Sequence, residues 1–582
     1  MGLFSRKDKA SRSGSSKPQL NSSQSNASLN SGSSSLKSPT TTAASSSGRL
    51  GVRTSAGPTH GSGSGSYYNN NNNNSSGPNT PLTPFSPIHI PRIDLPKPPD
   101  PALDPAGYLR SLGAIRERCK IVTDKALRDE LRHFDVDMGK FGDVVSFVCG
   151  IIKRDYDAPF NTIPPHGRHQ HFCVGGRDRI AHMLSMWDDI DSTEKCQRLI
   201  DLYLVSVLLD AGAGTQWSYK SIENGRIYRR SEGLAVASLE MFKAGLFSGN
   251  SQNKFQVDKH GLRNLTVEKM AKGLQSRPGN EIAGLEGRTE LLVRLAGALD
   301  EKKEFFGESG RPGNMLDHLL SHPATQASSM PIVPLPVLWN VLMSGLASIW
   351  PRSRTAINGV SLGDAWSCTS MPQPTPHASS SSSPSASSPP TFSPFPPSAS
   401  SGSNGSARGR GRSASGAAAW ESILPFHKLT QWLTYSLMQP MQSLLKIHFA
   451  GAELLTGLPE YRNGGLFIDM GVLTLRRDDA ERGLQHYADY CRRTGTKPVE
   501  VAPMFEPGDD VVVEWRGVTV GFLDRLLVEV NRALRAELAG NELTLAQLLE
   551  AGSWKGGREI AEVSRPNTKE PPILIDSDGT VF

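Results

Sequence analysis

Two tracts of this chain hold too few apolar side chains to fold, and they confine everything else. Residues 1–100 are dominated by Ser, Asn, Gly, Thr and Pro and include an asparagine run at 69–74. Residues 371–419 repeat the pattern, with serine and proline runs and an Arg-Gly repeat at Arg408, Arg410 and Arg412. Segments of this kind cannot bury enough apolar surface to offset chain entropy, so both are expected to be disordered. What remains, 101–370 and 420–582, is about 430 residues, enough for one large core or two packed subdomains. The 371–419 block reads as a surface insertion, because a long loop costs little once its flanks pack. We therefore expect 101–370 and 420–582 to be two parts of one helical, catalytic-type body, the second packing on the first.

The formal charge of +6 belongs to the tail. Residues 1–100 carry ten Lys or Arg against three Asp, a balance of +7, so the remainder sits near −1. A near-neutral body is not a basic nucleic-acid-binding surface. No specific nucleic-acid partner is expected; the tail and the Arg-Gly segment are suited to weak contacts with RNA or acidic partners, and the tail to regulatory proteins. Six cysteines (Cys119, Cys149, Cys173, Cys196, Cys368, Cys491) lack paired spacing, as reduced thiols in an intracellular protein do. There is no apolar leader and no uncharged run long enough for a bilayer, so no membrane association is expected. Met1-Gly2-Leu3-Phe4-Ser5-Arg6 approaches a myristoylation signal but has Arg at position 6. The expected location is cytoplasmic, with the nucleus left open.

Most foldable segments carry helical periodicity. Leu109, Leu112, Ile115 and Cys119 recur at three or four residues within 105–133. Residues 198–211 are apolar almost all round, which predicts a central helix. The same rule predicts helices over 232–245, 285–299, 335–349 and 426–446. From Asp509 to Leu538, Val512, Trp515, Val518, Phe522, Leu526 and Val530 form one stripe, with Asp509 or Asp510 as cap. Strand signals are few. Trp217-Ser-Tyr219 and Arg226-Ile-Tyr228 flank Glu223-Asn-Gly225, a hairpin signature. Ile573-Leu-Ile575 reads as a short terminal strand. The expected fold is mainly α, a large multi-helix domain with a small β-hairpin element.

Polar residues inside apolar surroundings mark the candidate chemistry. In Glu460-Tyr-Arg-Asn-Gly-Gly-Leu-Phe-Ile-Asp469, the side chains of Glu460, Arg462, Asn463 and Asp469 sit between core-like flanks. Buried charges are costly unless paired, so this stretch is either a structural ion pair or a reactive site. Asp210 ends the apolar helix and enters Ala211-Gly-Ala-Gly214, where backbone N–H groups can approach it. Ser231 or Glu232 lies where an N-cap belongs. His427, Lys428 and Gln431 fall within one turn at the start of the next apolar helix. A lysine there has the wrong sign for the helix dipole and calls for an anion or a carboxylate. Glu514 and Arg516 point apart on the long helix, and Arg462 and Glu460 are natural partners for them in a buried network. His166, His169, His171 and Cys173 look like metal ligands but match no zinc spacing, so neither metal nor cofactor is expected. There is no P-loop, no dinucleotide glycine fingerprint and no Gly-x-Ser-x-Gly elbow.

Together these strings resemble the uracil catabolism protein 4 family. The resemblance is carried by His171-Phe-x-x-Gly-Gly-x-Asp-Arg179, Ser206-Val-Leu-Leu-Asp-Ala-Gly-Ala-Gly214 and Arg230-Ser-Glu-Gly-Leu-Ala-Val-Ala-Ser238. It continues through Gly284-Leu-Glu-Gly-Arg288, Phe426-His-Lys-Leu-x-Gln-Trp432, Glu460-Tyr-Arg-Asn-Gly-Gly-Leu-Phe467 and Asp578-Gly-Thr-Val-Phe582. It implies a role in a pathway that opens uracil after attachment to ribose and releases urea. The block order is also similar to the queuosine salvage protein family, helical N-glycoside hydrolases. Leu209-Asp-Ala211, Lys428-x-x-Gln431, Glu460-Tyr-Arg462 and Glu514-Trp-Arg516 carry this likeness, and the catalytic Asp of that family falls on Glu460, one methylene longer. The implied activity is an N-ribosyl hydrolase acting on a ribosylurea-type substrate, with or without a 5′-phosphate. In that reading Glu460 stabilises the sugar cation, Asp469 or Asp210 assists, Arg462 and Arg516 fix Glu460, and Lys428 with His427 takes the phosphate. The alternative is a non-catalytic ligand-binding or scaffolding module of the same pathway.

Overall fold

A computed structural model of the chain describes residues 93–214, 216–327, 329–374 and 418–577. The expected disorder of 1–100 and 371–419 falls almost wholly outside these residues. The described chain is mainly α, with strands of two or three residues only, as the periodicity predicts.

The helix expected over 198–211 runs from Ser192 to Leu208. Asp191 caps it by accepting the Glu194 N–H at 2.9 Å, and every residue from Leu199 to Leu208 is buried. It packs along the helix Lys428–Leu445, itself buried on all sides from Lys428 to Met438. This pair, one helix from each side of the 371–419 block, forms the centre of the body. The long helix Asp510–Ala533, capped by Asp509 as expected, lies against Leu112–Ala126. A Cβ on Gly521 would stand 2.1 Å from Thr123 Oγ1, so glycine permits that approach. The predicted 105–133 segment is divided by Ser111, which caps Leu112–Ala126 after a short first helix, Pro105–Leu109.

Short strands tie the two stretches together. Phe134–Val136 pairs antiparallel with Leu473–Leu475, and Ile332–Pro334 pairs parallel with His448–Ala450. Ala365–Ser367 pairs antiparallel with Ile423–Pro425, which brings the flanks of the 371–419 block side by side. The predicted hairpin forms, with Tyr219 opposite Tyr228 and Gly225 at φ +69°. The terminal strand Leu574–Ile575 pairs parallel with Met504–Phe505. All six cysteines are free thiols. Among the described residues no helix is long and apolar enough to cross a membrane.

Candidate functional site

The central helix pair opens at one end into a cleft of roughly 640 Å³, its mouth included. Glu460, Asp210, Lys428, Arg462 and Glu232 line it, together with His166, His171, Trp432 and Trp554. Two of the helices that bound it begin from residues in the left-handed region. His427 (φ 46°) precedes Lys428, and Arg230 (φ 54°) opens the helix Arg230–Lys243. Left-handed non-glycine backbone costs on the order of 1–3 kcal/mol and persists where surrounding contacts over-determine it, which is common at sites of function.

Glu460 is the N-cap of the helix Tyr461–Asp469, and its Oε1 accepts the Asn463 N–H at 2.7 Å. Asn463 is held in turn, donating to Leu458 O at 2.9 Å and accepting from Ser553 Oγ at 2.8 Å. Among the described residues nothing hydrogen-bonds Oε2, so one carboxylate oxygen is fixed and the other faces the cleft. Burial pushes the Glu460 carboxyl up to about 7, against the opposing pull of Lys428 and the Asn463 N–H. Burial draws the Lys428 ammonium below the usual lysine value, while Glu460 and Asp210 resist. Among the described residues no carboxylate lies within 4.0 Å of Lys428 Nζ. The lysine expected to require an anion thus sits between two carboxylates without closing on either.

Asp210 is held by Arg168, whose Nη1 is 3.0 Å from Oδ2; among the described residues its buried Oδ1 has no hydrogen-bond partner. Burial opposes its charge, but Arg168, His171 and Lys428 together keep its carboxyl below the usual range. The turn carrying it is clamped by Arg288, which donates to the carbonyls of Leu209, Ala211, Gly212 and Ala283. Arg168 also donates to His171 Nδ1 (3.1 Å), and burial, then the Arg168 charge, push His171 down to about 3. His171 is therefore a neutral ring with its proton on Nε2.

Several sequence expectations are corrected. Asp469 lies at the far end of the Tyr461–Asp469 helix, about 13 Å from Glu460 at 1.5 Å per residue, and forms a bidentate pair with Arg565 (2.9 and 2.5 Å). Arg516 does not reach Glu460; it clasps Asp364 at 2.8 and 2.7 Å. Glu514 accepts the backbone N–H groups of Arg132 and His133 at 2.9 and 2.8 Å and bonds Ser370. The network of Glu460, Arg462, Glu514 and Arg516 therefore does not form, because partners distant in sequence take Arg462, Glu514 and Arg516. His427 points away from the cleft, its Nε2 on Leu109 O at 2.8 Å. Gln431 is spent on Phe426 O and Thr456. The helix expected to be capped by Ser231 or Glu232 is preceded by Arg229 instead, and Glu232 is paired with Arg558.

Arg462 donates to Lys569 O at 3.0 Å, and among the described residues no carboxylate lies within 4.0 Å of it. Of the histidine cluster, His166 and His171 enter the cleft, whereas His169, Cys173 and Asp178 bring ligand-type atoms within 4.8 Å of one another elsewhere. Sequence reasoning missed Arg168, Trp554, Arg558 and Asp364, and singled out His166 only for its metal-ligand look. No spacing rule signals them, although Arg168 lies within the histidine string.

The family model described as "Protein of unknown function (DUF1688)" matches residues 108–582, and the chain belongs to this family. Uracil catabolism protein 4 of Lachancea kluyveri is 40% identical over 486 residues, covering 82% of this chain and 99% of that protein. Protein urg3 of Schizosaccharomyces pombe is 41% identical over 476 residues, 81% of this chain and 98% of that one. The family resemblance carried by the motifs is borne out.

Proposed function

We propose that this protein acts in uracil catabolism as an N-ribosyl hydrolase that releases urea from a ribosylurea-type intermediate. The name of one relative, uracil catabolism protein 4, supports the pathway. The carrying observation for the chemistry is Glu460, with one oxygen fixed by a helix N-terminus and the other open to a cleft shared with Asp210 and Lys428.

Cleaving a C1′–N bond builds positive charge on the sugar. A preorganised carboxylate beside C1′ stabilises that charge and deprotonates the attacking water. Glu460 has the position and, at about 7, the proton affinity for a base at neutral pH. Asp210 Oδ1, buried and unpartnered among the described residues, is the acceptor for a ribose hydroxyl. Lys428 keeps Glu460 ionisable. Trp432 and Trp554 supply flat apolar walls. Arg462, a buried guanidinium with no carboxylate, is the group suited to a 5′-phosphate. The test is urea release from ribosylurea and its 5′-phosphate by purified protein and by Glu460→Gln. Turnover unaffected by that change sinks the assignment. Saturable binding without urea release favours a binding module.

A further inference from the structure

The reaction just proposed also needs an acid, because urea is a poor leaving group as an anion and must take up a proton as the C1′–N bond breaks. Glu460 stands on the water side of that requirement. His171 cannot meet it, since Arg168 donates to its Nδ1 and holds the ring neutral.

His166 has the opposite surroundings. Its ring is 3% exposed and lines the cleft, tilted against both Trp432 and Trp554 at 4.5 and 6.0 Å between ring centroids. Its Nδ1 lies 2.6 Å from Glu550 Oε2. An ionised carboxylate can only accept, so this bond places a proton on Nδ1 and leaves Nε2 as the second ring nitrogen. Among the described residues Nε2 has no hydrogen-bond partner, yet it is not one of the polar atoms sealed from solvent. It therefore faces cleft space.

The chain shape that creates this pair is specific. Residues Leu549–Ser553 form a π-helical turn between the helices Leu545–Leu548 and Trp554–Ser564. Such turns are rare and are found often at functional sites. This one carries Glu550 to His166, Ser553 to Asn463 and thus to the Glu460 cap, and Trp554 to the cleft wall. One backbone irregularity positions both the base and the histidine. Besides Glu550 on its Nδ1, the charged and titratable groups that share the cleft with His166 are Glu460, Asp210, Glu232, His171, Tyr461, Lys428, Arg230, Arg462 and Arg558.

We propose that His166 is a second catalytic residue, the general acid that protonates the departing urea nitrogen from Nε2, with Glu550 as its positioning residue. This rests on the hydrolase reading. The C1′–N bond breaks, its electron pair goes to nitrogen, and that nitrogen takes the Nε2 proton. Water adds to C1′ and gives its proton to Glu460. The proton on Glu460 returns through cleft water to His166, so the net reaction is substrate plus water giving ribose and urea. The two histidines divide the roles, one bonded to an arginine and the other to a carboxylate.

The experiment compares two substrates, ribosylurea and 4-nitrophenyl ribofuranoside, whose leaving group needs no proton. His166→Gln is expected to lower urea release by about 100- to 1,000-fold, within the range of general-acid contributions, while nitrophenol release stays within about threefold of wild type. Glu460→Gln is expected to abolish both. In ¹⁵N-edited spectra the wild type should show a far-downfield Nδ1 proton on His166 that moves upfield in Glu550→Gln, which a merely space-filling Glu550 would not cause. A folded His166→Gln variant that loses both substrates equally overturns the proposal. A wild type that cleaves neither riboside overturns the hydrolase reading itself, and the acid role with it.

Discussion

Arg516 and Asp364 form a two-armed ion pair inside the core, Nη1 to Oδ1 at 2.8 Å and Nη2 to Oδ2 at 2.7 Å. Asp364 Oδ2 also accepts the Lys428 N–H at 3.0 Å, and Oδ1 accepts from Trp366 Nε1 at 2.7 Å. A carboxylate 150 residues from the long helix thus sets where the lysine helix begins. The pair stands on either side of the 371–419 block and closes across it.

Asp364→Asn is expected to cost about 3–5 kcal/mol, the usual penalty for removing one member of a buried ion pair. Burial opposes the Asp364 charge, but Arg516 holds its carboxyl far below the usual range. Its stabilisation is therefore full above the unfolded pKa and is lost as pH falls below about 4. Urea unfolding at pH 7 and pH 3 should show a smaller gap between variant and wild type at the lower pH.

Glu460→Gln should trade activity for stability. The folded carboxyl titrates at about 7, above its unfolded value, so the native state binds the proton more tightly. Wild-type stability falls as pH rises from about 4.5 through 7, whereas Gln does not titrate. Thermal unfolding should place the variant above wild type by up to about 3 kcal/mol at pH 8 and near it at pH 4. In the wild type, kcat/KM for urea release should rise with pH through a midpoint near 7.

Gly557 sits where the helix Trp554–Ser564 crosses the Tyr461–Asp469 helix, and a Cβ there would stand 1.9 Å from Arg462 O. Gly557→Ala must push the helices apart, at a cost of about 1–3 kcal/mol or more. Because both helices carry cleft residues, ligand affinity should fall together with the melting temperature. An alanine variant with unchanged melting temperature and affinity contradicts this packing.

Arg462→Ala should discriminate between substrates. If Arg462 holds a phosphate, the variant raises KM for ribosylurea 5′-phosphate by about 10- to 100-fold, from the ~1.5–3 kcal/mol of a charged hydrogen bond, and leaves unphosphorylated ribosylurea nearly unchanged. Equal effects on both substrates would place the phosphate elsewhere.

Helix positions were legible because periodic burial is a local property. The stripe on Asp510–Ala533 and the all-round apolar run before Asp210 each point to one outcome whatever surrounds them. Glu460 and Lys428 stood out for a related reason: a charge between core-like flanks, or a lysine at the start of an apolar helix, leaves few roles open. Ion-pair partners were not. Glu460, Arg462, Glu514 and Arg516 look like one network, yet Asp364, Lys569 and the 132–133 backbone take three of the four. Of the four, Glu460 keeps an oxygen on the cleft that is unbonded among the described residues. Asp469 looked equivalent to Glu460, but a nine-residue helix sends the two carboxylates to opposite ends.

The amino-acid sequence by itself determined the helical class, the segments that could form a core, the family, and the carboxylate and lysine at the heart of the cleft. These follow from side-chain chemistry read along one dimension. Only the tertiary structure decided which charges neutralise one another and which stay open. Pairing depends on distances between residues hundreds of positions apart, and here on a single π-helical turn that no local pattern announces.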